Sequence, residues 1–259
     1  MSDWARTLRW QALAGAAAER TGGPAPHLEV TPRPRPAPRG FFALVQLYMA
    51  VVVFAGFAPS FYLRPERALE MPMVIHIHAG VMTLWILFMA VQGFLPAQGR
   101  VDVHRKLGWC GAGLAALVLV TGVMIAVRGV HDGWDPFGLG SPEAFAAIPF
   151  RDLVTFGTFF AVGLLARKRA PEAHKRMMVL ATLSVIPAGL ARLAAFAPEA
   201  AIVALNHAPI AAMIAWDLFT RRRVLASTAL GSAYLVLATP VCLAMATTPA
   251  WQNLVRALT

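Results

Sequence analysis

Charge is scarce in this chain. Only 14% of its residues are Asp, Glu, Lys or Arg, where a soluble domain carries roughly a quarter. Acid is scarcer than base: 13 Asp and Glu stand against 23 Lys and Arg, for a formal net charge of +10. A disordered chain is excluded, because disorder needs low hydrophobicity and high charge, and here 58% of residues are apolar or aromatic. A mean hydropathy of +0.60 also fits a soluble globular enzyme poorly. Cysteine is nearly absent. Cys110 and Cys242 lie in different apolar runs, so there is no disulfide framework and no CxxC motif. The HExxH, GxSxG, P-loop and GxGxxG patterns are missing too, which removes the usual soluble chemistries.

What is there is long apolar runs separated by short basic clusters. A sequence pI near 10.9 raises nucleic acid as a partner. The bases are not gathered along one helix or patch, however. They suit attraction to the anionic headgroups of a lipid bilayer instead, with no nucleic acid partner. Crossing a hydrocarbon core of ~30 Å takes about 20 mostly apolar residues. Seven runs are long enough: 41–63, 71–95, 107–127, 144–166, 177–197, 200–218 and 224–246. None alternates as a barrel strand does. Backbone groups in lipid must be satisfied within the segment, so each run is expected as a helix. The fold class is therefore all-α, an integral membrane bundle of seven transmembrane helices over residues 40–259.

The basic residues test that count. If all seven runs cross, seventeen Lys and Arg fall on one side, in the tail and the second, fourth and sixth connections. Five fall on the other: Arg64, Arg67, Arg128, Arg192 and Arg256. The positive-inside rule then places the N-terminus in the cytoplasm and the C-terminus outside, in a bacterial inner membrane. Cys110 and Cys242 come toward opposite faces, too far apart to bridge. Residues 1–20 carry charges around a short Ala-rich stretch and do not read as a secretory signal. Pro32, Pro34, Pro36 and Pro38 favour an extended segment. Residues 1–39 are thus expected to be a flexible, basic, Pro-rich cytoplasmic tail. Pro187, Pro209 and Pro240 lie inside runs and each removes a backbone hydrogen bond.

Two connections echo one another. Asp102-Val103-His104-Arg105-Lys106-Leu107 and Glu172-Ala173-His174-Lys175-Arg176-Met177 both read acid, small apolar, His, base, base, large apolar, 70 residues apart. Two readings stand. The segments are headgroup-level anchors and turns, or His104 and His174 face one another as ligands to a haem or metal.

Ionisable groups inside spans are costly and default to functional candidates. His76 and His78, Arg151 and Asp152, Arg192, and Asn206 with His207 come from four runs, each roughly 7–11 Å from the outer end by helix rise. A shared polar cavity in the outer leaflet is the economical arrangement. His76 and His78 are about 200° apart on a helix, and His76, in line with Gly80 and Thr83, is the better candidate to face a cofactor or another helix. Three uses compete. Haem b would take His76 or His78 opposite His207, with Arg151 and Arg192 near its propionates. A zinc hydrolase would take His76, His207 and Asp152 as metal ligands. A buried ion network would be structural, as in a partner subunit or small-solute carrier.

The segments HIHAGVMTLWILFMAVQGFLPAQGRVDVHRKLGW (76–109) and HKRMMVLATLSVIPAGLARL (174–193) resemble a bacterial family of multi-pass membrane proteins of unknown function. The matching positions are His76 or His78, Arg100, His104, Arg105, Leu107, Gly108, His174, Met177, Met178 and Arg192. Met177 stands where that family often has Trp. The resemblance covers 71–193 and implies an integral membrane fold without an activity. A fainter likeness, in arrangement only, is to diheme b561-type cytochromes. It implies an inner His104/His174 pair and an outer His76/His207 pair holding haem; the leading functional expectation is electron transfer through b-type haem with a quinone or other redox partner.

Overall fold

The structure is a computed structural model that describes residues 40–259. The expected tail at 1–39 lies outside the described residues. Every regular element described is helical. In order these are α1 (Phe41–Phe57), continued by a π turn to Tyr62, α2 (Pro65–Leu69), α3 (Met73–Ala97), α4 (Val101–His131) and α5 (Pro142–Ala166). There follow α6 (Pro171–Leu183), α7 (Pro187–Leu193), α8 (Glu199–Arg221), α9 (Ala226–Ala246) and α10 (Pro249–Leu258). Six of these helices are long and apolar enough to cross a membrane, and seven segments are if α6 and α7, bent by 45° at a short break, count together as one span. The chain is an all-α, multi-pass membrane bundle. Its outward faces carry bare apolar side chains such as Leu44, Val51, Leu84, Val120, Val154 and Leu237. In water these would be a liability; lipid solvates them.

Contacts show that successive spans alternate in direction. Arg167 at the end of α5 lies over Trp109 near the start of α4, 5.1 Å from the ring centroid. Arg221 at the end of α8 pairs with Glu172 at the start of α6. Lys175 and Arg176 lie over Phe42 at the start of α1. These contacts gather the connections rich in Arg and Lys at one end of the bundle, called here the basic end. At the opposite end Trp251 Nε1 of α10 donates to the Glu143 carbonyl at the start of α5, 2.8 Å away, and Arg256 pairs with the Glu143 carboxylate.

The broken span sits at the centre. Val179 through Ser184 are all buried, so protein surrounds α6 on every side. It packs on α1, α5, α8 and α9. The break has a covalent cause. Pro187 has no N–H for the Leu183 carbonyl, and the chain closes instead with a tighter Val185 N–H bond to Thr182. Pro187 then opens α7 at the first helical position, where its fixed φ is an advantage. The bend brings α7 against the end of α1, glycine to glycine. A Cβ on Gly56 would lie 2.1 Å from the Gly189 carbonyl oxygen. Only two residues without side chains permit this approach.

Several sequence boundaries need correction. The echo segments are not turns: residues 101–107 and 171–177 are the first turns of α4 and α6. Each acid sits in a first turn, where the helix dipole favours it. The run 177–197 is two helices rather than one. The amphipathic α10 was not expected. Pro209 and Pro240 stay inside continuous helices. The Leu205 carbonyl that Pro209 cannot engage accepts instead from Tyr48 Oη of α1, 2.8 Å away. Both cysteines are free, Cys110 exposed and Cys242 buried.

Candidate functional site

At the basic end the structure brings His104 and His174 together. Their ring centroids are 6.2 Å apart and the planes cross at 71°. The His174 imidazole is placed by a backbone carbonyl that its helix leaves unpaired. Gly163 is in the last turn of α5, where carbonyls lose their helical partners, and His174 Nδ1 bonds its oxygen at 2.8 Å. Pro96 ends the pairing of the Gln92 carbonyl inside α3, and that carbonyl stands beside His104. His104 Nδ1 is buried without a hydrogen-bond partner. The His174 bond makes Nδ1 the protonated nitrogen and leaves Nε2 with a free lone pair, the form that binds metals.

The surroundings are unusually polar for a bundle interior. Gln92 and Gln46 are 6% and 4% exposed, yet both amide heteroatoms of Gln92 and the oxygen of Gln46 have no partner among the described residues. Gln46 of α1 reaches the same level, since a Cβ on Gly93 would lie 3.5 Å from its Cγ. Orphaned buried amides cost free energy, and three such atoms, with the partnerless His104 Nδ1, mark a place that is not optimised for stability alone.

Two residues along α6 from His174 lies a cluster that the sequence reading missed. Arg176 and Asp217 are both fully buried and form an ion pair between α6 and α8. Arg176 Nε also donates to Thr228 of α9 at 2.9 Å, and Nη1 donates to the Glu172 carbonyl and carboxylate, each at 2.8 Å. Asp217 further accepts from the Thr228 hydroxyl at 2.5 Å and from the Leu225 N–H at 3.0 Å. Arg176 was counted with the interfacial bases and Asp217 went unremarked. The available signal was a single acid in the last turn of an apolar run, four residues before the basic cluster Arg221-Arg222-Arg223.

The candidates toward the opposite end fall into separate neighbourhoods. His78 bonds Thr121 of α4, Nδ1 to Oγ1 at 3.2 Å. His76 packs its ring on Phe61 at 6.0 Å. The Arg192 guanidinium lies 4.1 Å over the Phe57 ring and donates to the Ala188 carbonyl. Arg151 pairs with Asp152 and donates to Thr239 of α9 at 2.6 Å. His207 Nδ1 bonds the Val203 carbonyl of its own helix at 2.8 Å. The helix of His76 packs between α1 and α4, while that of His207 packs on α6, α7 and α9, so the two rings sit on helices with no substantial interface. Among the described residues no three His, Cys, Asp or Glu side chains group as a metal site.

Two cavities of about 300 Å³ each open at this end. One is lined by Arg151, Thr239 and Cys242 between α5 and α9. The other is lined by Asn206 and His207 with Pro187, Leu190 and Ala191, between α7 and α8. Phe137, in the loop 132–141, lines both. No protein-family model, curated protein or solved structure matches the chain.

Proposed function

We propose that this multi-pass membrane protein binds b-type haem between His104 and His174 and transfers electrons at the basic end of the bundle. The observation that carries the reading is the close edge-to-face approach of the two rings, whose planes cross at 71°. Their ring centres stand 6.2 Å apart, and a neutral imidazole with a free nitrogen lone pair is a metal ligand, so His104 and His174 would hold the haem iron. The donor chemistry fits as well. His ligands usually give their second nitrogen to a carbonyl, which orients the ring, and His174 does so with Gly163. The partnerless amides of Gln92 and Gln46 offer hydrogen bonds to a polar edge of a bound group. Haem bound there would supply one-electron chemistry, its potential set by the two ligands and by burial. The protein's own part is to hold the rings, exclude bulk water and fix the distance through α6. The hydrolase alternative needs a third ligand in a cluster, and His76, His207 and Asp152 have separate contacts.

The test is the visible spectrum of the full chain purified in detergent with haem supplied. A Soret band is expected, lost in His104→Ala and in His174→Ala and kept in His76→Ala and His207→Ala. Absence of the band from wild-type protein, or its survival in both inner variants, refutes the assignment. Protein without the band that keeps its fold would favour the structural-subunit or carrier reading.

A further inference from the structure

The cavity between α7 and α8 leaves two polar atoms open that the rest of the fold does not use. Both come from α8, where the adjacent Asn206 and His207 line it. The Asn206 side-chain oxygen is buried, whereas its Nδ2 keeps accessible surface and has no acceptor among the described residues. His207 gives its Nδ1 proton to the Val203 carbonyl at 2.8 Å. That leaves Nε2 as an acceptor with a lone pair, and it too keeps accessible surface. By the helix rise the pair lies roughly 10–12 Å along α8 from the opposite end of the bundle, where lipid supplies neither a donor nor an acceptor. The walls are apolar, from Pro187, Leu190, Ala191 and Ile202, and no Lys, Arg, Asp or Glu lines them.

These two atoms define what would fill the place. Nδ2 needs an acceptor and Nε2 needs a donor. A ketone, ester or ether serves the first and leaves the second unpaired. A carboxylate or phosphate would bring a charge into a low-dielectric cleft with no cation on its wall; Arg192, the one base of α7, lies over the Phe57 ring instead. An alkane serves neither atom. A hydroxyl is the smallest neutral group that both accepts and donates. We propose that this cavity binds a neutral, membrane-soluble aliphatic alcohol, whose oxygen accepts from Asn206 Nδ2 and whose proton is donated to His207 Nε2. A volume of about 300 Å³ takes roughly ten heavy atoms, at the ~30 Å³ that a water molecule occupies in the liquid. A longer chain has a way out, since Val203 lines the cavity and is half exposed on the apolar outer surface. Phe137 supplies a further wall and is held in place. Asp135 accepts from the N–H groups of Leu139 and Gly140 at 2.8 and 2.9 Å, and Phe137 rests edge-on against Phe145 at 5.7 Å. The site is at the end of the bundle away from His104 and His174 and does not depend on haem.

Ala194 also lines the cavity and takes a reporter thiol. The full chain carrying Cys110→Ser, Cys242→Ser and Ala194→Cys is placed in phosphatidylcholine nanodiscs. Modification by N-ethylmaleimide is timed with decanol, methyl octyl ketone, decanoate or decane at equal mole fraction in the bilayer. Decanol is expected to slow modification about tenfold at ten times its dissociation constant, since only the free fraction reacts. The ketone, one hydrogen bond short, should bind about three- to tenfold more weakly, and decane and decanoate should leave the rate near that of lipid alone. Asn206→Leu and His207→Phe each remove one partner at similar volume, and each should weaken decanol binding by about the same factor. The comparison of decanol with the ketone needs neither variant, so it decides even if one of them fails to fold. Equal protection by decane or by the ketone would mean a merely greasy cleft, and strongest protection by decanoate would mean a cationic one. Either result overturns the proposal, as does no protection by decanol or decanol binding that both folded variants leave as tight as before.

Discussion

Replacing Asp217 by Ala removes one half of a buried ion pair and leaves the other half in place. Arg176 has no exposed surface to retreat to. Its Nη2 loses its carboxylate, while the Thr228 hydroxyl and the Leu225 N–H lose an acceptor. Glu172 remains on Nη1, but it is a third exposed and shared with Lys175 and Arg221, so solvent weakens what it can return. Breaking one side of a buried pair costs about 3–5 kcal/mol, which corresponds to a fall in unfolding midpoint of roughly 6–20 °C for a chain of this size. The double replacement Arg176→Met/Asp217→Leu removes both charges, and similar volumes then make it far milder, within about 1–2 kcal/mol of wild type. The assay is thermal unfolding of the purified protein in one detergent, followed by circular dichroism. If Asp217→Ala melts within about 2 °C of wild type, or if the double variant is as damaged as the single one, the pair is not the buried, desolvated link between α6 and α8 described above.

Three further outcomes follow from the packing and the topology. Gly56→Ala should destabilise by about 1–3 kcal/mol or block accumulation of folded protein, because its Cβ meets backbone rather than a movable side chain; Gly80→Ala, which meets nothing, should be within about 0.5 kcal/mol of wild type in the same melt. Tyr48→Phe should cost about 1–3 kcal/mol by leaving the Leu205 carbonyl unsatisfied beside Pro209, and a melt equal to wild type would show that the carbonyl finds another donor. Single cysteines placed at Lys168 and Arg222 in a cysteine-free chain should react with an impermeant thiol reagent from one side of sealed vesicles, and cysteines at Ser141 and Ala250 from the other. Labelling of Lys168 and Arg222 from opposite sides would break the seven-span order.

The legible part of the fold was the part set by solvent. Lipid demands runs of about 20 apolar residues with their backbone groups paired internally, and those runs can be counted without knowing what touches what. The echo at 102–107 and 172–177 was legible for the same reason, as short patterns flanking such runs. What faces each helix was not. Every side of a membrane helix is apolar whether it meets lipid or protein, so hydrophobic periodicity carries little information about neighbours. The position of α6 and α7 at the centre, and the contact of Gly56 with Gly189, are therefore invisible along the chain.

The same limit explains the site residues. His104 and His174 were nominated because they sit at matching places in two similar segments, but their facing one another depends on α4 packing on α5 and α5 on α6. His76 was preferred to His78 on helical phase alone, whereas a Thr on the neighbouring helix decides which ring makes an interhelical bond. Asp217 was passed over because its partner Arg176 is 41 residues away and looked like one more headgroup-level base. Sequence by itself determined that the chain is a multi-pass membrane bundle and which segments are apolar enough to cross, because water and hydrocarbon act on each segment separately. Only the tertiary structure decided which polar groups meet, because a hydrogen bond needs partners within about 3 Å and that distance is set by how separate helices pack.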